Sequence, residues 1–160
     1  MTSSSEISKN EENNLQETLS KMNLDLDLEN LTRAWQTEVA KYSYVYNFRW
    51  LGGSVIQFPS DLIALQELIF VARPSVIIET GIAKGGSALF YSSILALLDL
   101  EDSLNGVDSY HPKRKYIGID IEIREPTWQL YEGSNLLRNY AQFIEGDSTS
   151  VETITKVRNL

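Results

Sequence analysis

An apolar run that leads into an acidic residue and a glycine-rich turn constrains this chain more than any other feature. Residues 76–87 read VIIETGIAKGGS. The uninterrupted apolar start is typical of a strand covered on both faces of a parallel sheet, and the glycines suit a tight turn into a helix. Strands are predicted at 76–78, 116–121 and 141–145, alternating with helical segments. This alternation predicts an α/β fold with a parallel sheet.

The helical periodicity places the remaining elements. Ser60 or Asp61 is the expected N-cap of one helix, and Pro74 is expected to end it. An aromatic-rich stretch at 42–50 precedes a Gly-Gly turn. This stretch is either a lead-in packed on the core or part of a substrate-side wall. Other helices are predicted at about 28–45, 86–98, 128–139 and 149–158.

Acidic residues stand at the carboxyl ends of the three predicted strands, where open α/β sheets bind their ligands. Glu79 would attract a ligand ammonium and repel a phosphate. Asp120 is suited to a ribose diol, or it caps a helix or is solvated. Asp147 could face a base amino group, or it is the N-cap of the next helix. Ammonium, ribose and adenine amine together describe S-adenosylmethionine.

The glycines of the first turn do not match the dinucleotide fingerprint, because their spacing is G-x-x-x-G-G rather than G-x-G-x-x-G. Gly81 permits a tight turn and a close approach of the backbone. Gly85 and Gly86 are expected to leave room for a ligand at the helix N-terminus. A glycine-rich turn of this kind also occurs in α/β proteins that bind nothing there. Lys84, between them, either touches a ligand carboxylate or faces solvent.

Composition excludes several classes of function. The chain of 160 residues has no cysteine and one histidine, His111, so thiolate chemistry and two-histidine metal motifs are absent. Its net charge is −8, and residues 1–30 hold seven acidic and two basic residues. The sequence lacks the basic stripe that is typical of a nucleic-acid-binding protein. No apolar run reaches membrane-spanning length, and no secretory signal is seen, which favours the cytoplasm.

Three further features have alternatives. His111 is a solvated loop residue or a general base. The basic triplet 113–115 is expected at a solvated edge, beside a polar connection at 101–115 that resembles a surface insertion. Trp128 and Tyr131 either cover an adenine ring or pack against the sheet.

Five motifs carry a family resemblance: Trp50-Leu-Gly, Ile56-Gln-x-Pro-x-Asp61, Ile77-Ile-Glu-Thr-Gly-Ile-Ala-x-Gly-Gly-Ser87, Gly118-Ile-Asp-Ile-x-Ile-Arg124 and Ile144-Glu-Gly-x-Ser148. Over roughly residues 44–160 the chain resembles the cephalosporin hydroxylase / rhamnosyl O-methyltransferase family. The resemblance implies a Rossmann-like class I methyltransferase fold, S-adenosylmethionine as methyl donor, and a small-molecule or glycan acceptor whose hydroxyl is methylated, on a sugar, glycolipid or natural product. It also implies Mg²⁺ held by carboxylates after the fourth strand. The residues expected to bind the cofactor are Glu79, Gly81, Gly85, Gly86, Ser87, Asp120, Asp147 and Ser148.

The resemblance also implies a sheet truncated after its third strand, with the metal ligands and catalytic groups beyond this chain, so no catalytic or metal residue is assigned. Residues 1–27 are predicted to be a disordered or loosely helical acidic tail, and residues 28–160 the N-terminal cofactor-binding part of a methyltransferase domain. An unpaired edge on the first strand predicts marginal stability, a homo-oligomer or a longer product. The alternatives are a non-catalytic remnant that binds a nucleoside or partner chain, and an oxygenase, for which one histidine cannot build a two-histidine iron site.

Overall fold

The computed structural model describes residues 4–106 and 112–160, and the chain divides into two compact units at Tyr44 and Val45. The first unit contains helices α1 (Ser4–Leu24) and α2 (Leu26–Ala40). The segment predicted as a disordered or loosely helical tail thus contains α1 and the start of α2. Asp25 is the N-cap of α2 and accepts the N–H of Leu28 at 2.9 Å. The boundary after residue 27 stays a prediction.

The second unit has the alternation that the sequence predicts, and its sheet arrangement is Rossmann-like. A 3-10 helix at Tyr44–Asn47 precedes a β-hairpin, and the hairpin precedes the sheet. The elements are β1 (Phe48–Trp50), β2 (Gly53–Val55), α3 (Pro59–Ala72), β3 (Val76–Thr80), α4 (Gly86–Leu104), β4 (Lys115–Asp120), α5 (Glu125–Gly133), α6 (Asn135–Tyr140), β5 (Ala141–Glu145) and α7 (Val151–Arg158).

The three longer strands form a parallel sheet in the order β3-β4-β5. Val76 pairs with Lys115 at the start of β3, and Asp120 pairs with Glu145 at the end of β5. In the part of the chain that the structure describes, β3 pairs with β4 alone. Ile78 is 54% exposed, so the expectation that this strand is covered on both faces is wrong for the described residues.

The hairpin of β1 and β2 explains the aromatic stretch. Leu51 and Gly52 form its turn, both with positive φ. The indole of Trp50 packs edge-on against Phe90 with 5.0 Å between ring centroids, and its Nε1 donates to Ser93 at 2.9 Å. Trp50 therefore packs on the core, as the first of the two interpretations has it, whereas Tyr42 and Tyr46 are exposed.

Two helix starts differ from their predictions. The N-cap of α3 is Phe58 rather than Ser60 or Asp61, because Pro59 occupies the first helical position, for which its fixed φ is suited. The single helix predicted at 128–139 is two helices, because Ser134 is extended and caps α6 through the N–H of Leu137.

An ion network fixes the far end of α4, which extends to Leu104 rather than to residue 98. Arg114 donates to Asp99 and, at 2.8 Å, to Asp102. Arg73, in the left-handed conformation that ends α3 before Pro74, donates to Asp102 and to Glu101. The Arg114 side chain is only 11% exposed, so the prediction of a solvated basic triplet is wrong for this residue.

The core surrounds α4 on two sides. One cluster joins α4 to the sheet and to α6, and the other joins it to α3 and the hairpin. A smaller cluster lies between the sheet and α7. No helix in residues 4–106 or 112–160 is long and apolar enough to cross a membrane.

Candidate functional site

A cleft of ≈ 310 Å³ opens at the carboxyl ends of the three parallel strands. Because parallel strands all end at one edge, the segments that follow them converge there. Four of the residues predicted to bind a cofactor line this cleft. The lining comprises Thr80, Gly81, Ile119, Asp120, Ile121, Gly146, Asp147 and Ser148.

The backbone of the turns is tied to the central strand. Gly81 donates its N–H to the Ile119 carbonyl at 2.7 Å, and Gly146 donates to the Asp120 carbonyl at 2.8 Å. Gly81 has φ +82°, and a Cβ placed there would meet no atom within 4 Å. The conformation therefore requires glycine, and the open space beside it allows the close approach that the sequence predicts.

The Asp120 carboxylate is held by backbone donors. Oδ2 accepts the N–H of Ala83 at 3.2 Å, and Oδ1 accepts the N–H of Glu122 at 3.3 Å. The first bond lies at the long end of the normal range and the second lies just beyond it, and each oxygen has a further lone pair for another donor. Thr127 donates Oγ1–H to the Ala83 carbonyl at 2.9 Å, so the turn between β3 and α4 is held from both sides.

Asp147 forms a turn of its own rather than capping α7. Its Oδ1 accepts the N–H of Thr149 at 2.8 Å and the hydroxyl of the same residue at 2.7 Å. These bonds hold the pKa of Asp147 below its usual value. The N-cap of α7 is Ser150, which accepts from Thr153, so the alternative assignment of Asp147 as a helix cap is wrong. Ser148, beside it, is exposed and lines the cleft.

Glu79 is not among the residues that line the cleft. It lies on the face of the sheet that carries Gly118 and Asp120. Its Oε2 accepts the hydroxyls of Ser87, at 2.8 Å, and Tyr116. Burial raises the pKa of the Glu79 carboxyl, and the nearby Asp120 charge raises it further, while the two hydroxyls oppose the shift. Burial and the Glu79 charge also raise the pKa of Tyr116, which keeps that hydroxyl a donor.

Gly85 and Gly86 serve packing. A Cβ on Gly86 would lie 2.0 Å from the carbonyl oxygen of Ser54, and one on Gly85 would lie 3.0 Å from Cγ2 of Thr127. The expectation that these glycines leave room for a ligand is therefore corrected, because β2 and α5 fill that space. The close approach of two backbones explains why Gly86 carries no side chain.

Several residues of the site were missed by the sequence analysis. Tyr116 precedes Asp120 by four residues in one strand, so the two-residue strand period could have placed both on the face of Glu79. No local signal indicated that Thr127 holds the turn. Trp128 and Tyr131 pack against Phe143 at 5.9 and 5.1 Å between ring centroids, which confirms the packing interpretation for both.

The remaining candidates contribute little to the site. Lys84 is exposed, and His111 lies outside the described residues. No three His, Cys, Asp or Glu side chains in the described ranges are grouped so that they could hold a metal ion.

The charge of the cleft restricts its ligands. Asp120 and Asp147 line it, and neither forms a salt bridge with any residue in the described ranges. Carboxylates without a paired cation accept hydrogen bonds from hydroxyls and amines and attract positive charge. They repel phosphate. The arrangement suits a polar ligand with several donors and a positive charge.

Comparison with known proteins identifies a family to which the chain is similar. The family model described as Rhamnosyl O-methyltransferase/CmcI matches residues 42–160. The chain is also similar to a protein of Mycobacterium leprae (strain TN) named Rhamnosyl O-methyltransferase, with 28% identity over 119 residues, which are 74% of this chain and 44% of that protein. The chain thus spans less than half the length of this curated relative. No solved structure matches the chain.

Proposed function

Because the chain belongs to the Rhamnosyl O-methyltransferase/CmcI family, we propose that it is the cofactor-binding part of an S-adenosylmethionine-dependent O-methyltransferase. One observation carries the binding proposal: the cleft at the carboxyl ends of β3, β4 and β5 is edged by Asp120 and Asp147. This is the edge at which open α/β sheets bind ligands, and its charge suits a cationic nucleoside.

The proposed contacts follow from the donors and acceptors around the cleft. Asp120 accepts the ribose hydroxyls, since each of its oxygens is only weakly engaged by a backbone N–H. Asp147 accepts the adenine amino group through the oxygen that Thr149 leaves free. Gly81 and Ser148 contact the ligand where they line the cleft. Glu79 accepts the ammonium of the methionine part.

S-adenosylmethionine supplies a methyl group activated on a sulfonium. The residues of this chain bind and orient the donor, which is a large part of the catalysis of a two-substrate transfer. We propose that the acceptor is a hydroxyl of a sugar, glycolipid or natural product, and the name of the mycobacterial relative favours a glycan.

A magnesium ion has no place in this part of the proposal. The described residues present no group of three carboxylates or imidazoles that fits such an ion, so none of the proposed contacts involves one. Nothing in the described ranges favours the alternatives of an oxygenase or a non-catalytic remnant.

A thermal melt with and without S-adenosylhomocysteine tests the proposal. A ligand at 100 times its Kd stabilises the native state by about 2.7 kcal/mol, which raises the Tm of a chain of this size by roughly 5–11 °C. Asp120→Asn should lose most of this shift. Asp61→Asn, an exposed carboxylate on α3, is the matched control and should retain it. A melt of the natural sequence that ignores the ligand contradicts the proposal.

A further inference from the structure

One carboxylate of the second unit is held in an asymmetric way. Both protein donors to Glu79, the hydroxyls of Ser87 and Tyr116, bond to the same oxygen, Oε2. No hydrogen bond from a described residue reaches Oε1. Tyr116 is completely buried, so one half of the carboxylate is anchored to the core while no described residue bonds to the lone pairs of the other half.

The strand is built to allow this contact. A Cβ on Gly118 would lie 2.7 Å from Cγ2 of Ile82 and 3.0 Å from the Tyr116 hydroxyl oxygen. Any larger residue at this position would displace the Tyr116 ring from its path across β4 to Glu79. The absence of a side chain at Gly118 is therefore a condition of the contact.

Nothing in the described surroundings neutralises this carboxylate. The titratable groups that act on it are Asp120 and Tyr116 from β4 and Tyr91 from α4, and none of them is a cation. No described Lys or Arg forms a salt bridge with Glu79. A half-buried carboxylate beside a second carboxylate opposes folding unless a proton neutralises it or a positive group joins them. A cationic ligand group meets that requirement.

We propose that Tyr116, together with Ser87, is a positioning residue that holds Glu79 by Oε2 and presents Oε1 to the ammonium group of an amino-acid-bearing nucleoside. This inference rests on the proposed function and adds a specificity to it. The adenosine part is bound by the cleft, and the Tyr116–Ser87–Glu79 set selects ligands that carry the ammonium group of the amino acid.

Two ligands separate this selectivity from a general effect on the fold. S-adenosylhomocysteine and 5′-methylthioadenosine share the nucleoside and the sulfur, and only the first carries the amino acid. Isothermal titration of the 160-residue chain should show Tyr116→Phe weakening S-adenosylhomocysteine binding roughly tenfold, as for loss of a hydrogen bond to a charged group. Binding of 5′-methylthioadenosine should be unchanged.

Matched variants distinguish a loss of positioning from a loss of folding. Ser87→Ala removes the second donor to the same oxygen, from a half-buried position, and should repeat the selective loss. Tyr131→Phe removes a hydroxyl from the same core region, where the Tyr131 ring packs on Phe143, and should leave both affinities unchanged. Melts without ligand establish that each variant folds.

A pH profile supplies a second readout. The ionised form of Glu79 binds the ammonium, and the Tyr116 hydroxyl stabilises that form, so Tyr116→Phe raises the pKa of Glu79 further. On lowering the pH, the affinity of the variant for S-adenosylhomocysteine should therefore begin to fall at a higher pH than that of the natural sequence.

The outcomes separate the two proposals. Equal weakening of both ligands would show that Tyr116 acts only on the fold, and an unchanged affinity for S-adenosylhomocysteine would show that it does not position Glu79. Either result overturns this inference while leaving the methyltransferase proposal standing. If the natural sequence binds neither ligand, the proposed function fails and this inference fails with it.

Discussion

Replacement of Arg114 by methionine should destabilise the second unit strongly. The Arg114 side chain is 11% exposed, and that of its partner Asp99 is 1% exposed. Removal of one member of a buried ion pair costs about 3–5 kcal/mol, because the other charge remains buried and unpaired. Asp99 keeps the N–H of Lys113 at 2.8 Å, so we expect the lower end, about 3 kcal/mol. For a chain of this size the Tm should fall by about 6–12 °C.

The stability difference between the natural sequence and Arg114→Met should depend on pH in a defined direction. Burial alone would raise the pKa of Asp99, but hydrogen bonds from Lys113 and Arg114 outweigh it and lower the pKa below 3.8. The natural sequence therefore has this stabilisation at neutral pH and loses it as the pH falls through the lowered pKa. In Arg114→Met the buried Asp99 carboxylate has no cationic partner, and protonation in acid removes the cost of that unpaired charge. The difference in stability between the two proteins should therefore shrink from pH 7 to pH 4.

Urea denaturation at both pH values, followed by circular dichroism, measures these differences. Arg73→Met is the matched control. It removes the other arginine of the same network. The Arg73 side chain is 35% exposed and that of its partner Glu101 is 44% exposed, and exposed ion pairs contribute little to stability. The reasoning is refuted if the two variants lose equal stability, or if the loss in Arg114→Met grows in acid.

Three other substitutions test separate parts of the structure. Gly86→Ala places a Cβ 2.0 Å from the Ser54 carbonyl oxygen and should lower the free energy of unfolding by at least about 1–3 kcal/mol; an unchanged urea midpoint would contradict this. Ser150→Ala removes the acceptor for the Thr153 N–H at the start of α7 and should cost about 1 kcal/mol, read from thermal melts. Asp147→Asn removes a charge from the cleft and should weaken S-adenosylhomocysteine binding in isothermal titration; equal affinity would remove Asp147 from the proposed site.

The presence of the three parallel strands was predictable from the sequence because strands are set by local patterns. The β-branched run of β3 and the apolar runs of β4 and β5 are strand signals, and β5 has the bounds 141–145 that were predicted. Helix limits depend on distant partners instead. The length of α4 follows from Arg114, which lies ten residues beyond its end and could not be paired with Asp99 from spacing alone.

The site was partly predictable for the same reason. Parallel strands all end at one edge of the sheet, which is why Asp120 and Asp147 were expected to lie close together. The structure confirms that both line one cleft. The glycine turn was misjudged because the sequence does not show which backbone approaches it. The space at Gly86 is taken by Ser54, from a hairpin whose short strands carry no clear periodic signal.

We propose that the acid-edged cleft binds a nucleoside that bears an amino acid, whose ammonium group meets the carboxylates. The most direct test of this proposal is isothermal titration of the 160-residue chain with S-adenosylhomocysteine and, separately, with ATP, which carries the same adenosine but a phosphate chain. The account predicts saturable binding of S-adenosylhomocysteine, its loss in Asp120→Asn, and no measurable binding of ATP. Equal binding of both ligands, or binding of ATP alone, would contradict it.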